Sequence, residues 1–108
     1  ALSCLDHPAS HDILPPLTPY FVMKIGRVAL VPYFRPGAPE LAEATGALAA
    51  EYSALVLANH GPVVCGSSIE KAAYAIEELE ETAKLFFLLK DSNPRFLSSE
   101  QVRELKTN

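Results

Sequence analysis

The chain predicts an α/β fold with a partly antiparallel sheet. Two kinds of segment lead there. Arg27–Val31 reads as a strand stopped by Pro32, and Ala54–Ala58 and Val63–Cys65 are short and continuously apolar, too short for helices and suited to strands buried on both faces. Pro39–Ala50 and the run from Ile69 to Phe86 instead repeat apolar residues every three or four positions, as amphipathic helices do. The order is strand, helix, strand, turn, strand, helix, with helical pieces at both ends. So few strands do not make a closed unit, and Ala1–Leu5 is apolar from its first residue, like the end of a helix. Both features suggest a piece of a longer chain, with more sheet in a part before Ala1.

Composition narrows the class. The 108 residues are enough for one modest domain, and 49% hydrophobic with 20% charged residues fits a folded globular protein. A formal net charge of -4 and the lack of a basic run argue against a nucleic-acid partner. The longest apolar run, Leu85–Leu89, is far too short for a membrane span, and no signal segment opens the chain. The two cysteines, Cys4 and Cys65, form no C-x-x-C motif and read as free thiols in a reducing cytoplasm.

The segments follow in order. Asp6–Asp12 is a polar connector. Its His7 and His11 are four apart, but Pro8 breaks any helix between them, so they read as solvated loop histidines. Thr18 caps a short helix with Pro19 at its first position, and Tyr20-Phe21-Val22-Met23 is expected to pack inward. Pro32 stops the first strand, and Arg35 lies in the loop beyond. Leu41, Ala44, Ala47 and Leu48 form the apolar stripe of the next helix, where Gly46 weakens the helix but permits close packing. Ser67-Ser68-Ile69-Glu70 reads as a capping box with Ser67 as the cap. The helix it opens should bury Ile69, Ala72, Ala73, Ile76, Leu79, Ala83 and Phe86. Its acids form a solvated face, with Glu80 and Lys84 as an i,i+4 pair. Asp91-Ser92-Asn93-Pro94 ends that helix, and Ser98 or Ser99 opens a short last one, Glu100–Leu105.

The candidate site is the turn between the second and third strands, Asn59-His60-Gly61-Pro62. A buried strand fixes the backbone at its end, and a turn there lets an imidazole project into a cleft, as a metal ligand must. From the residues alone, His60 is either such a ligand or a plain turn histidine. Tyr20 is a candidate proton donor or a buried core tyrosine.

The central stretch resembles the class II aldolase/adducin family. The resemblance lies in the apolar strand, His60-Gly61, then Gly66-Ser67-Ser68-Ile69-Glu70-Lys71-Ala72, and the acidic helix with Glu77, Glu80 and Ala83. Leu14–Gly26 and Val31–Gly37 look like a narrower branch of it, the 3-oxo-tetronate 4-phosphate decarboxylases. The resemblance implies a class II aldolase-like three-layer α/β/α fold with a largely antiparallel central sheet. Residues 1–108 would be the C-terminal part of one such domain. It also implies a divalent metal, usually zinc, held by three histidines, of which His60 matches the third. The other two, an H-x-H pair, would lie before Ala1. Tyr20 lines up with a tyrosine that transfers a proton in family aldolases. Homotetramers with active sites at subunit borders are implied as well.

The activity implied is metal-dependent decarboxylation of 3-oxo-tetronate 4-phosphate to dihydroxyacetone phosphate and carbon dioxide. The same scaffold serves sugar-phosphate aldolases, which cleave a ketose 1-phosphate, and ribulose-phosphate epimerases. A non-catalytic, adducin-like interaction domain is the reading from another class, and it has no need of His60. With one metal ligand of three, the 108 residues alone are expected to be inactive.

Overall fold

A computed structural model of the chain describes residues 1–106. After a single 3-10 turn, Leu2–Cys4, come α1 (Pro19–Lys24), β1 (Val28–Val31), α2 (Pro39–Ala49), β2 (Ala54–Leu57), β3 (Gly61–Val64), α3 (Ile69–Leu89) and α4 (Ser99–Lys106). The strands lie in sequence order, with β2 in the middle. β1 and β2 run parallel, Val28 opposite Ala54, while β2 and β3 run antiparallel, Ala54 opposite Val64. The sheet of the described residues is therefore mixed, not largely antiparallel. The reason is connection length: α2 is long enough to carry the chain back to the end where β1 began, and only the β2–β3 link is a hairpin turn.

Alternation along the strands builds two cores. Val28, Ala54 and Val56 point to one face and pack with Leu14, Phe21, Val22 and Leu79. Ala29, Val31 and Leu55 point to the other and pack with Tyr52, Leu41, Ala44 and Leu48. Helix α2 thus covers one face, and α3 with α1 and α4 covers the other, giving three layers. Full burial of each large aliphatic or aromatic side chain is worth about 1.5–3 kcal/mol.

The edges are handled differently. Ser10–Ile13, which overlaps the end of the polar connector Asp6–Asp12 read from sequence, lies along the free edge of β1: Ile13 N–H donates to Val28 O (2.9 Å) and Leu30 N–H to Ser10 O (2.7 Å). This segment blunts that edge without being a strand. On β3, Pro62 sits opposite Val56. The bond from Cys65 N–H to Ser53 O (2.8 Å) sets the alternation of the ladder, and Val56–Pro62 falls on a non-hydrogen-bonded pair, where a missing N–H costs no ladder bond.

A second set of contacts ties the start of β2 to the rest. The Tyr52 hydroxyl donates to His11 O (2.9 Å) and accepts from Arg27 Nη1 (3.4 Å), and the Arg27 guanidinium lies 4.7 Å from the Tyr52 ring centroid. Ser53 Oγ donates to Ile25 O (3.2 Å).

The helix caps agree with expectation in kind but not always in place. Thr18 Oγ1 accepts from Phe21 N–H (3.2 Å), as predicted. At α3 the cap is Ser68, not Ser67: its Oγ accepts from Lys71 N–H (3.1 Å), so no glutamate occupies the position that would return a bond. Gly66, just before the cap, lies with its backbone on the first turn of α3; a Cβ there would sit 2.7 Å from Ala72 N. A reciprocal capping box does form at α4. Ser98 Oγ accepts from Gln101 N–H (3.2 Å), and Gln101 Oε1 accepts from Ser98 N–H (2.9 Å).

Several packing expectations are overturned. On α1 only Phe21 and Val22 are buried; Tyr20 and Met23 face outward. Ala47 is exposed, and nothing lies within 4 Å of the position a Cβ would take on Gly46, so that glycine permits no close packing. On α3, Ile69 is 89% exposed and Ile76 is exposed too, and only from Leu79 onward does the stripe reach the core. Twenty-one residues make a helix of about 31 Å, whereas four-residue strands span about 13 Å, so α3 outruns the sheet it covers. Ala1–Leu5 forms the single 3-10 turn, not the end of an α-helix.

The two glycines should respond oppositely to alanine in thermal unfolding. Gly46→Ala should raise stability by about 0.5–1 kcal/mol, because the helix loses its weakest residue and nothing clashes. Gly66→Ala should lower it by about 1–3 kcal/mol by overpacking the first turn of α3. Tyr52→Phe should cost about 1 kcal/mol in denaturant unfolding, the worth of the lost bond to His11 O.

Candidate functional site

The site is assembled at the end of β2. In a sheet with parallel strands, ligands gather beyond the carboxyl ends, where the chain leaves the sheet. Ala58, Asn59 and His60 form the turn that follows β2, and each backbone N–H in it is tied down. Ala58 N–H donates to Val31 O at the end of β1 (3.0 Å), Asn59 N–H to Ser3 O in the 3-10 turn (2.8 Å), and His60 N–H to Leu57 O (3.0 Å). Asn59 has φ 56°, the left-handed region.

The His60 ring is exposed and has no hydrogen-bond partner among the described residues. It borders a cleft of about 300 Å³ enclosed by the 3-10 turn, the β2–β3 turn and α3, with Ser3, Glu80, Lys84 and Phe87 among its walls. Lys84 Nζ lies 3.3 Å from Glu81 Oε1, an exposed pair worth a few tenths of a kcal/mol. The expected Glu80–Lys84 pair is thus replaced by an i,i+3 pair. Glu80 is left on the cleft wall with no ion partner among the described residues. The sequence reading paired Glu80 with Lys84 and gave it no place at the site. The signal that could have found it is its position next to Leu79 and three before Ala83, at the border of the buried stripe.

His60 fits one ligand position: a rigid backbone, an open ring and a cleft in front of it. No group of three or more His, Cys, Asp or Glu side chains close enough to hold a cation occurs among the described residues. The other histidines do not join it. His7 is half-buried, and its Nε2–H donates to Leu2 O (3.0 Å). His11 is exposed in the segment along β1. Cys4 and Cys65 are both free and exposed.

Tyr20 is not at the cleft. It sits on α1, 67% exposed, and the structure does not bring it together with His60. Asp12 marks the opposite end of the sheet, beside Val28 where β1 starts. Burial raises its pKa, against the pull of the Val28 N–H and of Arg27. It takes no part in the cleft.

Residues 1–87 match the Class II Aldolase and Adducin N-terminal domain. The chain is 51% identical over 107 residues to the 3-oxo-tetronate 4-phosphate decarboxylase of Escherichia coli K12, covering 99% of this chain and 50% of that protein. It is 38% identical over 73 residues to an L-fuculose phosphate aldolase of Methanococcus maripaludis, covering 68% of this chain and 39% of that one. The crystal structure of YgbL from Escherichia coli superposes with a TM-score of 0.93 at 51% identity, over 98% of this chain and 51% of YgbL. YgbL from Klebsiella pneumoniae gives 0.92 at 50% identity, over 96% of this chain and 50% of that one. The chain spans about half the length of the curated decarboxylases it matches. On the family match and these identities together, the chain belongs to the class II aldolase and adducin family.

Proposed function

We propose that the protein is a metal-dependent carboxy-lyase that converts 3-oxo-tetronate 4-phosphate into dihydroxyacetone phosphate and carbon dioxide. The likeness to 3-oxo-tetronate 4-phosphate decarboxylases, about half of all residues over nearly the whole chain, is the observation that carries this reading. The free ring of His60 at the cleft supports its metal-dependent part.

The substrate is a β-keto acid. When its C1–C2 bond breaks, carbon dioxide leaves and the electron pair delocalises over C2 and the C3 carbonyl, giving an enediolate. A proton delivered to C2 completes dihydroxyacetone phosphate. A divalent cation, zinc in the reading the family suggests, supplies Lewis-acid stabilisation of the charge on oxygen when bound. His60 would be one of its ligands, its ring direction set by the three backbone bonds of the turn. Glu80, on the same cleft wall, adds negative charge that favours a cation there.

Tyr20 is proposed as the proton donor to C2. Its exposure on α1, away from the cleft of its own chain, fits action at the site of a neighbouring copy in a homo-oligomer, a tetramer by family expectation. Free, exposed Cys4 and Cys65 fit a reducing cytoplasm. None of the described helices is long and apolar enough to cross a membrane. A second reading, cleavage of a ketose 1-phosphate, is favoured by the likeness to L-fuculose phosphate aldolase and passes through the same enediolate.

The test is an assay of the intact protein with 3-oxo-tetronate 4-phosphate and, separately, a ketose 1-phosphate. Chelator-sensitive release of carbon dioxide is expected. His60→Ala should lower kcat/KM by about 100-fold or more, the cost of losing a charge-stabilising group. Its unfolding free energy should change by no more than about 0.5 kcal/mol, since the ring is exposed and unbonded. Cleavage of the ketose 1-phosphate without decarboxylation would move the protein to the aldolase reading. Full activity in His60→Ala would contradict the ligand role. The 108 residues by themselves are expected to turn over neither substrate.

A further inference from the structure

We infer that Asn59 is a positioning residue for His60, and that its left-handed backbone is what aims the ring at the cleft. The inference rests on the ligand reading of His60.

Asn59 is the one non-glycine residue with positive φ among the described residues, at 56°. Asparagine tolerates that region better than most other side chains, which clash there with their own backbone. Nothing else accounts for an asparagine at this position. Its side chain is exposed and makes no hydrogen bond among the described residues, so neither packing nor a side-chain contact selects it.

What the conformation achieves is visible in the backbone. With φ at 56°, the chain reverses at Asn59 and the His60 N–H closes the turn on Leu57 O at 3.0 Å, while the Asn59 N–H donates to Ser3 O at 2.8 Å and the Ala58 N–H to Val31 O at 3.0 Å. One residue therefore joins the 3-10 turn to the β2–β3 turn, two of the three walls of the cleft that His60 borders. A residue that avoids positive φ would relax toward the extended or helical regions, release the His60 N–H from Leu57 O, and carry His60 off its direction. Local strain of this kind, held beside a functional group, is how a turn fixes one orientation.

A residue acting only on stability and a residue acting on His60 predict different results. Cobalt(II) binding to the intact protein, followed by its ligand-field absorption, reads the ligand geometry without any turnover. Thermal unfolding of the same variants reads stability. Asn59→Gly keeps positive φ accessible and should bind cobalt within about twofold of the unaltered protein. Asn59→Ala should bind about fivefold more weakly, the change that a penalty of about 1 kcal/mol converts to when only part of the population holds the competent turn. Asn59→Val should bind more weakly still. Should the valine variant fail to fold, the glycine and alanine variants decide the matter. Lowered melting temperatures in alanine and valine with unchanged cobalt affinity would overturn the inference, because the turn would then be held whatever residue occupied it. His60→Ala is the control: loss of cobalt binding there upholds the ligand reading independently, and unchanged binding there would remove that reading and this inference with it.

Discussion

The molecule depends on the double burial of β2. Among the described residues it is the strand flanked by a strand on both edges, parallel to β1 and antiparallel to β3, and its side chains Ala54, Leu55 and Val56 alternate between the two cores. A strand in that position has no freedom to shift its register, since a slip of one residue would exchange the faces of every side chain. The turn that follows inherits this rigidity. His60 lies three residues past the end of β2, on a backbone bonded to β1, to β2 itself and to the 3-10 turn. The backbone position of His60 is thus fixed by apolar packing at a distance from it.

Much of this was legible from residue types. The continuous apolar runs identify the strands, the threefold and fourfold spacing identifies α2 and α3, and Thr18-Pro19 marks the start of α1. Expectation failed where the outcome turned on geometry between segments. Periodicity along Ile69–Phe86 shows an apolar face but not how much sheet lies beneath it, so Ile69 was expected inside and is outside. Gly46 and Gly66 look alike in sequence; one faces open space and the other touches the backbone of α3. The direction of β1 relative to β2, and the cover that Ser10–Ile13 gives to the edge of β1, are decided by long-range pairing. His60 stands out in the sequence because a histidine beside a glycine at the end of a buried strand is a recognisable pattern, and the structure places it at the cleft. Glu80 was missed because acids on a helix are most simply read as solvated, and Asn59 because φ is not written in composition.

The fold by itself does not choose a reaction. Decarboxylation of a β-keto acid and retro-aldol cleavage of a ketose phosphate differ in the bond that breaks, and both leave the electron pair on an oxygen that a Lewis acid can stabilise. Family members similar to this chain carry both activities. What separates them must lie in how the substrate's leaving group is oriented against the cation. The walls available for that task in this chain are the 3-10 turn, α3 with Glu80 and Lys84, and the turn of His60.

The most direct test of the central claim is a crystal structure of the intact protein loaded with zinc, with the cation located by its anomalous scattering. A ring nitrogen of His60 is expected about 2.0–2.1 Å from the cation, the usual zinc–histidine distance, with Asn59 still at positive φ. A zinc ion held by other groups, with the His60 ring turned away from it, would contradict the claim that the end of β2 is built to present a metal ligand.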